Sequence, residues 1–177
     1  MRAFIAVPIS DEVKEKVEPF RKALEVEGVK VVEPENLHIT LFFLGEIDDR
    51  RAADVIAAME NVRTKGFELR FSGAGVFPNP NFIRVVWVGC ESKELNDIYN
   101  ALAPSISKMG YELEDFRAHL TIARVKNPAA KEKVKAAVSK FKDATFGACL
   151  VDRIVLFKSI LTPKGPIYEE VFAKRLE

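Results

Sequence analysis

Only two histidines occur in the chain, and each opens the same four-residue pattern: His38-Ile39-Thr40-Leu41 and His119-Leu120-Thr121-Ile122. Along a β-strand, residues i and i+2 share a face, so each histidine is paired with its threonine while the apolar residues turn the other way. Two such faces brought together would gather two imidazoles and two hydroxyls around one point. An imidazole titrates near neutrality, so one ring can take a proton from water while the other gives one to a departing oxygen. Hydroxyls, helped by a nearby cation, can hold non-bridging oxygens as their charge grows. This set fits in-line displacement at phosphorus, and in particular the opening of a five-membered 2′,3′-cyclic phosphodiester without a metal. Other uses of these residue types are weaker. Two histidines without further ligands at fixed spacing make a poor metal site. Neither Cys90 nor Cys149 sits beside a histidine in sequence or in a nucleophile turn.

A shared cleft requires two strands related by approximate symmetry, and the motif spacing points to one. The histidines lie 119 − 38 = 81 residues apart. At that offset residues 3–7 fall on 84–88, 11–28 on 92–109, 49–65 on 130–146, and 67–73 on 148–154. The 11–28 and 92–109 stretches are helix-like, opened by the N-cap candidates Ser10 or Asp11 and Ser92. Apolar positions at helical spacing, Ala53, Ile56 and Ala57 against Val134, Ala137 and Val138, mark the second pair of helices. Each half reads strand, helix, His-bearing strand, helix, strand, with extra strands at 29–32, 154–161 and 167–173. Pro19 is expected to kink or restart the first helix. The Gly73-Ala74-Gly75 and Pro78-Asn79-Pro80-Asn81 stretches punctuate the middle, the second as a hairpin turn. The expected fold is α+β: two pseudo-symmetric lobes, each an antiparallel sheet flanked by helices, with both motifs in a central cleft. Residues 1–177 then form one bilobal domain, the repeat running approximately over 2–81 and 83–162, with a C-terminal strand at 167–173.

Composition agrees with an ordinary globular protein: 48% hydrophobic and 30% charged over 177 residues, with a net charge of +1. That charge argues against electrostatic coating of nucleic acid but not against a site gripping one phosphate. No apolar run is long enough for a bilayer span or a signal peptide, so a cytoplasmic location without membrane association is expected. Two cysteines without a CxxC pair favour the reduced state and no structural metal. Glutamine is absent while Lys, Arg, Glu and Asp abound, a bias that resembles thermophile compositions.

The flanks of the two motifs carry a family resemblance that spans nearly the full chain. Arg2-Ala3-Phe4-Ile5-Ala6-Val7 resembles an opening strand, and Asn36-Leu37-His38-Ile39-Thr40-Leu41-Phe42-Phe43-Leu44-Gly45 a first signature. Phe116-Arg117-Ala118-His119-Leu120-Thr121-Ile122-Ala123-Arg124 resembles a second signature, and Lys158-Ser159 through Gly165-Pro166-Ile167-Tyr168 a closing segment. Together they resemble the 2H phosphoesterase superfamily, and within it the RNA 2′,3′-cyclic phosphodiesterases, also called 2′-5′ RNA ligases. The resemblance implies a bilobal α+β fold, no cofactor, and opening of the cyclic phosphate to a 2′-phosphomonoester. It implies His38 as proton donor and His119 as proton acceptor, a division that the near-symmetry of the motifs leaves open. Thr40 and Thr121 would bind phosphate oxygens. Arg124 resembles the family's arginine after the second motif, a candidate phosphate clamp. Strict alternation, however, turns Arg124 away from His119, so either a bulge re-aims it or it faces solvent.

Phe42, Phe116 and Tyr168 are candidates for stacking a base, and Lys126, Lys158 and Lys164 for guiding a polyanion. The expected partners are RNA ends bearing a 2′,3′-cyclic phosphate, tRNA halves among them, met by a monomer. Two other readings use the same residues: a 2′-5′ ligase joining tRNA halves by the reverse chemistry, and a nucleotide-binding module without turnover. A matched acid–base pair disfavours the second.

Overall fold

The computed structural model describes all of residues 1–177. Its first strand, β1 (Arg2–Pro8), is almost wholly buried and lies between β3 (His38–Glu46) and β9 (Arg153–Thr162), with β10 (Gly165–Arg175) at the edge beyond β9. A second sheet has the order β2 (Val29–Val31), β7 (His119–Val125), β6 (Phe82–Gly89), β5 (Ala74–Asn79). All pairings in both sheets are antiparallel. A separate ribbon joins β4 (Phe67–Ser72) to β8 (Thr145–Val151).

Four helices cover these sheets, and their caps follow from sequence. The hydroxyl of Ser10 accepts from the Val13 N–H to open α1 (Asp11–Ala23), and that of Ser92 from the Leu95 N–H to open α3 (Lys93–Lys108). The Asp48 carboxylate does the same for α2 (Asp49–Glu60) by accepting from the Arg51 N–H. The fourth helix, α4 (Lys131–Phe141), follows a 3-10 turn over Pro128–Ala130. Val13, Val17 and Phe20 line the buried stripe of α1, and Leu95, Ile98, Leu102 and Ile106 that of α3.

The two halves of the chain interlock instead of forming separate lobes in sequence. β2 leaves the first half to pair with β7, and β9 returns from the second half to pair with β1. Helix contacts cross in the same way, α1 packing on α4 and α2 on α3. Three further expectations need correcting. Pro19 neither kinks nor restarts α1, which runs through it. Both Pro19 and Glu15, whose carbonyl loses its i+4 donor, are exposed, so the missing bond falls on the solvent side of the helix. The first and second helices stop at Ala23 and Glu60, short of residues 28 and 65. Gly73-Ala74-Gly75 does not form a loop but leads into β5. Gly75 lies opposite Trp87, whose ring would meet a Cβ there at 2.3 Å, so the indole occupies the place of the missing side chain. The turn expected over Pro78–Asn81 is present but narrower, at Pro80-Asn81, since Pro78 and Asn79 still belong to β5; the Asn79 side chain accepts from the N–H groups of Asn81 and Phe82.

Arg21, on α1, anchors the segment that leads to the first motif. Its Nε donates to the Val32 carbonyl at 2.7 Å, and its guanidinium meets Glu18, Glu25 and Glu33. Beside the second motif, Gly89 pairs with His119, and a Cβ at Gly89 would stand 2.5 Å from the Ser72 carbonyl oxygen. Because that neighbour is backbone, Gly89→Ala should destabilise the fold by roughly 1–3 kcal/mol, as overpacking does. A thermal melt checks this, and an unchanged Tm would show that β6 can move aside freely.

Candidate active site

Both motif strands carry the same irregularity. On β3, Ile5 pairs with Phe42 and Ala6 with Thr40, leaving Leu41 as an extra residue. On β7, Val86 pairs with Ala123 and Trp87 with Thr121, leaving Ile122 extra. These bulges stand at equivalent places, 122 − 41 = 81. Each puts two consecutive residues into the core, Leu41 with Phe42 and Ile122 with Ala123, and so slips the alternation by one. Phe43 and Arg124 therefore return to the faces that carry His38, Thr40, His119 and Thr121. A bulge re-aims Arg124, as the clamp reading required.

β3 and β7 lie against each other without backbone pairing. Between them is a cleft of about 450 Å³ whose walls include His38, Thr40, Phe43, His119, Thr121 and Arg124. All five candidate catalytic and phosphate-binding residues are thus brought together. The stacking candidates Phe42, Phe116 and Tyr168 all border the cleft, but Phe42 is only 5% exposed, its ring stacked on Tyr99 at 4.5 Å, and Phe116 stacks on Tyr99 in turn at 4.6 Å. Phe42 is therefore core, and Phe43, 70% exposed, is the free ring at that end. Lys126, Lys158 and Lys164 are not among the cleft walls. Its cations are Arg117 and Arg124, and Glu112, Glu114 and Asp115 form an acidic rim.

The two imidazoles are held in the same way. Nδ1 of His38 lies 2.6 Å from the Asn36 carbonyl, and Nδ1 of His119 lies 2.7 Å from the Arg117 carbonyl. A carbonyl only accepts, so each Nδ1 carries the proton and each neutral ring keeps its Nε2 lone pair. The surroundings differ. His38 is enclosed by Phe4 at 4.9 Å and by Tyr168 edge-on at 5.3 Å, and its Nε2 is 2.9 Å from the Thr40 hydroxyl. Its carbonyl partner Asn36 is itself fixed, the side-chain amide donating to the Pro166 carbonyl at 3.0 Å. His119 has one aromatic neighbour, Phe77, edge-on at 5.0 Å.

Burial disfavours the charged imidazolium and pulls the His38 pKa down to about 4, the bond to Asn36 opposing and the Arg124 charge adding to it. His119 is lowered from its usual value by the same causes, burial first, with the Arg117 carbonyl opposing and Arg124 adding. Burial also raises the Tyr168 phenol, against the opposing pull of Arg124. No group of three or more His, Cys, Asp or Glu side chains is placed to hold a metal ion, and no helix is long and apolar enough to cross a membrane.

Asn36, Phe43 and Arg117 escaped the reading of the sequence as parts of the site. Two of them carried a signal, since Phe43 and Asn36 stand 81 residues before Arg124 and Arg117.

Comparison with known proteins places this geometry. The family described as LigT-like phosphoesterase matches twice, over residues 7–87 and 88–168. An RNA 2′,3′-cyclic phosphodiesterase of Archaeoglobus fulgidus is 45% identical over 176 residues, covering 97% of this chain and 98% of the relative. One of Methanocaldococcus jannaschii is 38% identical over 172 residues, covering 97% and 98%. A solved structure from Thermus thermophilus superposes with a TM-score of 0.85 at 29% identity, covering 99% of this chain and 98% of the other. E. coli LigT complexed with 3′-AMP gives 0.82 at 23% identity, covering 99% and 97%, a likeness of fold.

Nitrogen-15 spectra should show both rings as Nδ1–H tautomers at neutral pH, with His38 titrating near 4 and His119 below 6.5. Because the folded pKa of His38 lies below its unfolded value, its contribution to stability is full above pH 6.5 and is lost as pH falls toward 4. The loss amounts to roughly 3 kcal/mol at most. Urea unfolding of wild type and His38→Phe across that window checks it; equal pH slopes would contradict the burial account.

Proposed function

The chain belongs to the LigT-like phosphoesterases, the 2H family, and from that premise we propose that it hydrolyses 2′,3′-cyclic phosphates at RNA ends with His38 and His119 as acid and base. The observation that carries this reading is the matched pair of imidazoles, each pinned through Nδ1 by a carbonyl and each presenting Nε2 to one cleft. The cyclic phosphate binds between them, its non-bridging oxygens on Thr40, Thr121 and the Arg124 guanidinium. Nε2 of His119 takes a proton from water as the oxygen attacks phosphorus. The P–O3′ bond breaks in line, and the Nε2–H of protonated His38 gives its proton to O3′. The product is a 2′-phosphomonoester with a free 3′-hydroxyl.

The division of roles is supported by the unequal surroundings of the two rings. The Thr40 hydroxyl stands where it can accept from the Nε2–H of a protonated His38, whereas Nε2 of His119 has no protein partner and is left to water. The low pKa of His38 in the free protein opposes the acid role. The bound phosphate answers this, because its negative charge offsets Arg124 and favours the imidazolium. Phe43 offers an exposed ring for the terminal base.

The test is the mutant series His38→Ala, His119→Ala and the double variant, assayed in excess EDTA with identification of the phosphate isomer. Each single change is expected to lower turnover by roughly 10²–10⁴-fold, and the double variant to be only modestly worse, because the pair acts as a unit. A substrate with a better leaving group should rescue His38→Ala more than His119→Ala. Equal rescue of both would overturn the roles, and loss of wild-type activity in EDTA would overturn the metal-free mechanism.

The pH dependence follows from the two lowered pKa values. The productive enzyme carries one proton on the pair, so kcat/KM should follow a bell centred below pH 6.5. The bound anion raises both values, so the bell in kcat should lie higher. A kcat/KM that keeps rising above neutrality would exclude the pair as acid and base.

A further inference from the structure

Behind His119 lies a second groove of about 460 Å³ that the reaction as described does not use. His119 and Arg117 belong to both spaces, so the groove opens beside the reacting phosphate. Its walls come from three elements besides β7: Arg70 and Ser72 on β4, Phe77 on β5, and Trp87 on β6. The side chain of Arg70 is 84% exposed and its guanidinium pairs only with the exposed Glu68 at 3.2 Å. The ring of Trp87 lies across Gly75 and 5.3 Å from Phe77, and its indole N–H is buried without an acceptor. That N–H is closed off from the groove, so what Trp87 offers a ligand is its ring.

We propose that this groove receives the neighbouring nucleotide of an RNA chain whose cyclic-phosphate end occupies the catalytic cleft, an inference that rests on the function proposed above. Two kinds of surface meet here, as single-stranded nucleic acid requires: the cations Arg70 and Arg117 for the phosphodiester and the rings of Phe77 and Trp87 for a base. Charge decides the direction of the strand. The opposite rim of the cleft carries Glu112, Glu114 and Asp115, which repel a second phosphate, whereas the groove sets Arg70 and Arg117 against the single carboxylate Glu91. The acidic rim and the basic groove together steer the chain past His119. On this basis the site selects RNA ends over free cyclic mononucleotides.

The experiment compares a 2′,3′-cyclic mononucleotide with a short oligonucleotide ending in the same cyclic phosphate, in wild type and in Arg70→Ala. Arg70 is exposed, so its loss leaves the fold intact. Wild type should prefer the oligonucleotide by roughly 10-fold or more in kcat/KM, the size of one base-stacking contact. Arg70→Ala should remove most of that preference and make the salt dependence of oligonucleotide KM shallower by about 0.7 in log–log slope, one phosphate contact on a single strand. Binding of a 2′-phosphorylated oligonucleotide, read by fluorescence anisotropy, should weaken in Arg70→Ala whether or not turnover is observed. That readout separates failure of the groove from failure of the catalytic reading. An Arg70→Ala variant with unchanged selectivity and binding would overturn the proposal. So would a gain in oligonucleotide affinity confined to Glu112→Gln and Glu114→Gln, because the strand would then cross the acidic rim.

Discussion

Side chains five residues apart on a regular strand face opposite ways, so His119 and Arg124 can share a cleft only if the pleat slips once between them. The extra residue at Ile122 supplies that slip, and the extra residue at Leu41 supplies it for His38 and Phe43. The slip is sustained by burial. Leu41 and Phe42 are each 5% exposed, and Ile122 and Ala123 are fully enclosed. Straightening either strand would turn Phe42 or Ala123 out to the cleft face and Phe43 or Arg124 into the core. Burying an unpaired guanidinium costs several kcal/mol, so the core holds the bulge and the bulge holds the site.

The electrostatics of the cleft follow from that arrangement. Burial of the two imidazoles, with the charge of Arg124 on the same face adding to it, keeps both neutral in the free protein. A cation and two neutral rings form a receptor for an anion. On the proposed function they become an acid–base pair only when an anion arrives to balance the charge. The carbonyls of Asn36 and Arg117 keep Nδ1 protonated throughout, so every change of protonation falls on Nε2, the atom that faces the reacting phosphate. In the proposed reaction, protonation is thereby coupled to substrate binding.

Much of this was legible in the residues. The offset between His38 and His119 anticipated the paired elements, since Ser10 and Ser92 do cap equivalent helices and β3 and β7 do carry the motifs on their cleft faces. What escaped notice had physical causes. The bulges leave no mark on composition, because Leu41-Phe42 and Ile122-Ala123 read as apolar strand in either register. The strand β5 was hidden because Gly75 normally signals a break, and only the bulk of Trp87 on the neighbouring strand explains it. The interlocking of the halves was invisible because hydrogen bonds between β2 and β7, or between β9 and β1, need no particular side chains. Phe42 misled as a stacking candidate because strict alternation cannot tell it from Phe43 across a bulge.

Duplication of one motif builds a cleft that is symmetric at its centre, yet the reaction is directional. Acid and base must differ, and so must the sides that take ribose and water. The paired imidazoles, carbonyls and threonines do not break the symmetry, so the positions just outside them must. Arg124 answers to Phe43, setting a cation against an exposed ring; in the proposed function the first takes the phosphate and the second a base. Arg117 answers to Asn36, one side chain free in the cleft and the other bound to Pro166 under the β9–β10 hairpin. That hairpin brings Tyr168 onto His38, whereas the other end of the cleft opens into the groove behind His119. Direction in this molecule therefore resides in the places where the repeat has diverged, and the chemistry resides in the places where it has not.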